Sequence, residues 1–165
     1  MQLVASAVPV RDTPALTLDL LFFGDSRDLI YPLVDKAEYD DSVFESWKWT
    51  LPDAAVPLAL TVFGDWIYSH ADGIYLFSPS AANNCEIATV VEEIDWAIEN
   101  ISERAPWLYP QLLTELGNSG FERVRGKLLH FVTPLCLGGV LETSNVQQVN
   151  IREHTVGMQK LLRQL

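Results

Sequence analysis

Between residues 56 and 90 short apolar runs are separated by turn residues, and the run VPLALTVFGDWIYSHADGIYLFSP reads as antiparallel β-structure. Phe63-Gly64-Asp65 punctuates the first join. His70-Ala71-Asp72-Gly73 punctuates the second, where Asp-Gly supplies the positive φ angles of a tight hairpin. Trp66 and Tyr68 share one face of their strand, as Tyr75 and Phe77 do of the next, so the turn brings the two aromatic pairs onto adjacent strands. Which face is buried depends on a register that the pattern leaves open. Residues 79–84 read as a loop and 85–89 as a third strand.

The period then changes. Over 90–102, Val90, Val91, Ile94, Ala97, Ile98 and Ile101 fall on one helical stripe, with Glu92, Glu93, Asp95, Glu99 and Asn100 largely opposite. Thr89 stands as N-cap with Glu92 at the capping-box spacing. A second helix is expected over 107–116, with Pro106 at its start and Gly117 after its end. A last one covers 152–165, carrying Val156, Leu161, Leu162 and Leu165. Nearer the N-terminus, Leu16, Leu18 and Leu20 alternate as in a short strand, 28–34 has the character of a short helix weakened by Pro32, and 41–49 places apolar residues at 43, 44 and 47. Together these elements predict an α+β fold: a central antiparallel sheet built mainly from 56–90, with helices at 90–102, 107–117 and 152–165 packed against it.

The 165 residues suit a single domain, 1–165, with no internal repeat. The longest apolar stretches, 56–63 and 20–23, fall far short of the roughly 20 residues that span a bilayer. The first charge is Arg11, so the N-terminus makes a poor signal peptide. These features suggest a cytoplasmic protein that meets no membrane and keeps Cys85 and Cys136 reduced.

Charge is spread unevenly. The net charge is −11, and residues 1–103 hold 18 acidic against 4 basic side chains, whereas 104–165 hold 4 against 7. One acidic cluster is Asp35, Glu38, Asp40, Asp41 and Glu45; the other is Glu92, Glu93, Asp95, Glu99 and Glu103. Such a surface repels phosphate backbones and argues against nucleic-acid binding. The plainest account of the clusters is a solvated, solubilising face. The sharper account is a steering surface for a basic partner, since charge of one sign raises association rates by roughly 10–1000-fold.

Catalytic constellations are weak. His70, His130 and His154 show no metal-ligand spacing and read as structural, and neither cysteine sits in a nucleophile or zinc motif. Gly138-Gly139 lacks the residues of a phosphate loop, and no GxSxG occurs. No metal or organic cofactor is expected, and nothing in the sequence supports an enzyme.

Two segments carry a resemblance. PLALTVFGDWIY at 57–68 is followed by DGIYLFSP at 72–79 and an acidic helix; GKLLHFVTPLCLGG at 126–139 is followed by NVQQVNIREH at 145–154 and a closing helix. Over residues 56–165 this order resembles the immunity-protein domain found with type VI secretion effectors; residues 1–55 are not placed by it. The motif positions are Gly64, Asp65, Gly73, Pro134, Gly138, Gly139 and Asn145. Their plain physical reading is structural. The glycines take backbone angles closed to other residues or admit close neighbours. Pro134 fixes the chain before a buried turn, and Asn145 tolerates left-handed angles and bonds its own backbone. The resemblance implies a non-enzymatic antitoxin that occludes the active site of a cognate toxin, often a nuclease; the uneven charge, net −14 over 1–103 against +3 over 104–165, points to the two acidic clusters as forming or bordering the partner surface. A regulatory or scaffold module, or an enzyme with a pocket between sheet and C-terminal helices, are the alternatives.

Overall fold

The structure, a computed structural model, describes residues 30–32, 41–71, 73–99, 105–124 and 126–165. Five strands form one antiparallel sheet in sequential order: β1 (Ile30–Pro32), β2 (Val56–Thr61), β3 (Trp66–His70), β4 (Gly73–Ser78) and β5 (Asn83–Ala88). A second antiparallel pair joins β6 (Lys127–Phe131) to β7 (Val146–Asn150). The helices are α1 (Asp41–Glu45), α2 (Val91–Glu99), α3 (Pro110–Asn118) and α4 (Ile151–Leu162). The expected α+β architecture with a central antiparallel sheet is the one observed.

The aromatic hairpin pairs as its spacing requires, with Trp66 opposite Phe77 and Tyr68 opposite Tyr75. The sheet is buried on both faces, so the alternation sorts side chains between two cores. Ala59, Ile67, Ile74 and Leu76 face Ile94 and Ala97 of α2 and Leu112, Leu113 and Leu116 of α3. Leu60, Trp66, Tyr68 and Phe77, on the opposite face, pack with Val43, Phe44, Trp47 and Leu51 and with Met158 of α4. Edge-on ring contacts of Phe44 with Trp66 and of Trp47 with Phe77, at 5.1 and 5.2 Å, lock α1 and the turn after it onto this face. Helices on both sides of a two-faced sheet make a three-layer molecule.

Four local readings change. The helix expected over 28–34 is replaced at 30–32 by an edge strand whose Pro32 stands opposite Ala59. Proline is tolerated at a sheet edge and drives the preceding residue, Tyr31, to extended angles. The helix expected over 41–49 stops at Glu45 and continues as tight turns in which Trp47 N donates to Phe44 O and Lys48 N to Glu45 O. In the hairpin Ala71 takes a left-handed angle, φ 52°, and Gly73 is already in β4 opposite His70, so the glycine is not a turn residue; Asp72 lies outside the described residues. The missing Cβ of Gly73 instead makes room for the Tyr75 ring. The single helix expected over 107–116 is two: a 3₁₀ turn at Pro106–Leu108, then Tyr109 at φ 49°, then α3, which Pro110 starts. A residue before proline avoids helical angles, which breaks the run at Tyr109. Gly117 lies inside α3 rather than after it. The strand expected near Leu16 to Leu20 lies outside the described residues.

Helix caps fix two further boundaries. α4 begins with a complete capping box: Asn150 Oδ1 accepts from Glu153 N at 2.9 Å and Glu153 Oε2 accepts from Asn150 N at 3.3 Å. At α2 the residue that reaches back is Glu93, not Glu92; its Oε2 accepts from Thr89 N at 2.7 Å and from Thr89 Oγ1 at 3.1 Å.

Candidate partner-binding surfaces

Phe63-Gly64-Asp65 builds the β2–β3 turn. Thr61 Oγ1 accepts from Phe63 N at 3.2 Å and from Asp65 N at 3.1 Å, and donates to Asp65 Oδ2 at 3.3 Å. The Phe63 ring stacks on Phe131 of β6 at 5.4 Å and meets Tyr109 edge-on at 5.1 Å. Leu129 N donates to Val62 O at 2.8 Å, which ties β6 to the same turn. Gly64 sits at φ 80° with its α-carbon against the His154 ring; a Cβ there would stand 2.5 Å from His154 Nε2. His154 Nδ1 lies 3.1 Å from His130 Nδ1, so one of these nitrogens carries a proton and the other accepts it. The turn, β6 and α4 thus meet in the core, with Tyr109 packed edge-on against the Phe63–Phe131 ring pair.

Electrostatics follow from burial. Desolvation pushes the Asp65 carboxyl up to about 6, opposed by hydrogen bonds to Ser78 and Thr61. Desolvation, with the nearby His130 adding to it, pushes His154 down to about 3. His130 is lowered by burial as well. Asp65 is 2% and His154 3% exposed, so neither offers its polar atoms to a substrate at the surface. These groups join the β2–β3 turn to β6 and α4.

The second motif shapes the loop between β6 and β7. Asn145, expected to bond its own backbone, instead clamps the far side of the loop. Its Oδ1 accepts from Thr133 N at 2.8 Å, and its Nδ2 donates to Thr133 O at 2.9 Å and Val140 O at 3.0 Å. Nor does it take a left-handed angle. Gly139 lies where a Cβ would run into the Thr133 carbonyl oxygen, while Gly138, at φ 85°, closes the 3₁₀ turn Leu135–Leu137. Pro134 caps that turn, and its carbonyl accepts from Leu137 N and Gly139 N. The turn buries none of its residues, contrary to the expectation of a buried one. Ser80 anchors it to the sheet: Ser80 O accepts from Cys136 N at 2.9 Å and Ser80 Oγ from Leu135 N at 3.3 Å.

The acidic clusters are placed in part. Glu45 is exposed and pairs with Lys48 at 2.5 Å; Glu92 and Glu93 are exposed on α2. Asp41 opens α1, and Asp95 and Glu99 lie within α2. Asp35, Glu38, Asp40 and Glu103 lie outside the described residues. Because α1 and α2 pack on opposite faces of the sheet, the described acids of the two clusters form separate patches rather than one. Hydrogen bonding at Thr89 holds the Glu93 carboxyl below its usual range.

Cys85 and Cys136 are free thiols, each half-buried. Among the described residues no three His, Cys, Asp or Glu side chains converge as a metal site would need, and no helix is long and apolar enough to cross a membrane. The sequence pattern missed two things. The β6–β7 pairing joins strands separated by a 14-residue connection, and the contact of His130 with His154 depends on it; the HxH-type spacings that would signal paired histidines are absent. Compared with known proteins, the chain matches no family model and no curated protein.

Proposed function

We propose that the chain is an immunity protein that binds a cognate secreted toxin in the cytoplasm and blocks its active site. The observation that carries this reading is the way the motif residues of the resemblance are used. Gly64 and Asp65 lock the β2–β3 turn against His154 and Thr61, and Gly139 and Asn145 lock the 132–145 loop around Thr133. The first fixes the core beneath the sheet and the second holds an exposed loop in one shape, as a binding surface needs. The charge supports the same reading: a nuclease grips phosphate with a basic cleft, and a chain of net charge −11 competes for such a groove.

The test is co-production with the product of the toxin-like reading frame beside its gene. The expected result is protected growth and a complex that survives purification. Unrelieved toxicity and no complex would overturn the proposal in favour of a scaffold role or an enzyme.

A further inference from the structure

Val132, Leu137, Val140 and Leu141, four large aliphatic residues within ten positions, are each 50–55% exposed. They stand on the loop described above, which Asn145, Ser80, Pro134 and Gly139 hold in one shape. An exposed apolar loop that is also rigid loses little conformational freedom when it is buried by a partner. Interface centres have this character: apolar anchors, fixed in advance, with charge kept to the rim.

Charge identifies the occupant. From residue 128 to 151 the chain has no Lys or Arg, and its one charged side chain in that span is Glu142, exposed beside the loop. Lys127 is at the opposite end of β6 from the loop, which joins at Phe131 and Val146. Four residues of strand at about 3.3 Å each place it roughly 13 Å away, beyond the screening length of about 10 Å at 0.1 M salt. Within its own segment the loop therefore presents apolar side chains and a single negative charge, Glu142. A second copy of the chain would bring the same Glu142 and the same net charge of −11 against it, so self-pairing is opposed. A partner with cationic residues around an apolar pocket is complementary.

We propose that residues 132–142 are the anchor of the partner interface and insert into an apolar pocket with a cationic rim on the cognate toxin. This rests on the immunity reading and adds to it the surface that makes the contact.

The test measures binding of the purified product of the adjacent toxin-like reading frame to the wild-type chain and to a Leu137→Asp/Val140→Asp variant, alongside thermal melts of both. The expected result is an unchanged melting temperature and affinity weakened about 100-fold, mostly through faster dissociation. A milder pair, Leu137→Ser/Leu141→Ser, serves if the first variant melts early, with a loss of about 10-fold expected. Wild-type affinity in a folded variant would overturn the inference and leave the immunity reading standing. A wild-type chain that binds no such toxin would overturn both. A wild-type dimer in sedimentation that either variant abolishes would assign the loop to a second copy and overturn the inference.

Discussion

Two segments carry the motif glycines and differ in what surrounds them. At the β2–β3 turn, Gly64 faces a buried histidine, Asp65 is buried with its partners, and Phe63 is stacked in the core. In the 132–142 loop, Gly138 faces open space and Gly139 abuts the Thr133 carbonyl and the Asn145 amide, while the neighbouring aliphatic side chains stand in solvent. Both segments are fastened by a side chain that bonds backbone groups, Thr61 in one and Asn145 in the other. Similar local devices thus serve two ends: the first turn joins layers of the core, and the second holds a surface in shape. A motif glycine or asparagine read from sequence signals a fixed backbone, and burial decides whether the fixed backbone supports the interior or presents an exterior.

The largest effect that separates the two segments is a Cβ at each glycine. Gly64→Ala combines a left-handed backbone with a collision against His154 and should cost roughly 2–5 kcal/mol of stability. Gly138→Ala has the same backbone sign but open space around it, so about 1–2 kcal/mol is expected. Urea unfolding of both variants checks the contrast, and equal losses would break it.

The next effect is in pH. The Asp65 pKa is raised by burial from an ordinary 3.8 to about 6, so its contribution to stability is present below about pH 4 and is lost as pH rises through 6. His154 is lowered by burial from 6.5 to about 3, so its contribution is present above about pH 6.5 and is lost as pH falls towards 3. Between pH 4 and 6 the two slopes oppose one another. Asp65→Asn removes one of them, and the variant should lose about 2–3 kcal/mol relative to wild type on going from pH 6 to pH 4. Unfolding midpoints at pH 6, 5 and 4 provide the check, and parallel curves would contradict the buried position of Asp65.

Asn145→Ala tests the surface segment. Loss of its side-chain bonds leaves Thr133 N without its acceptor and should cost about 1–3 kcal/mol. Amide exchange should speed up over 132–145, and toxin affinity should fall although no contacting aliphatic residue is changed. Slow exchange with weakened binding would mean that Asn145 acts by contact rather than by shaping the loop.

These contrasts also mark what the sequence could tell. The hairpin from Trp66 to Phe77 and the apolar stripe of α2 were legible because each is a local periodicity bounded by turn residues. The division at Tyr109 was obscured because Pro106 and Pro110 both resemble helix starts, and the pattern does not say which one begins the α-helix. The Asn145 clamp and the His130–His154 contact were hidden because they cross 12 and 24 residues of chain, and no local rule brings those positions together. Of the proposed partner surface, the acidic patches could be read as composition. The exposed loop could not, because VTPLCLGGVL has the character of core until the clamp that turns it outward is seen.

The smallest effect is in association rate. Reversing Glu92, Glu93 and Asp95 to Lys should slow association by up to about 10-fold and flatten its salt dependence, with dissociation little changed. Kinetics at several salt concentrations check this, and unchanged rates would leave the α2 acids as solubilising residues.

Inhibition of the toxin by surface contact is the central proposal. Titrating the purified toxin with the wild-type chain while following the toxin's own activity tests that most directly. The account predicts a linear fall to near zero at a fixed stoichiometric ratio, relieved by the Leu137→Asp/Val140→Asp variant. Full toxin activity in the presence of excess wild-type chain would contradict it.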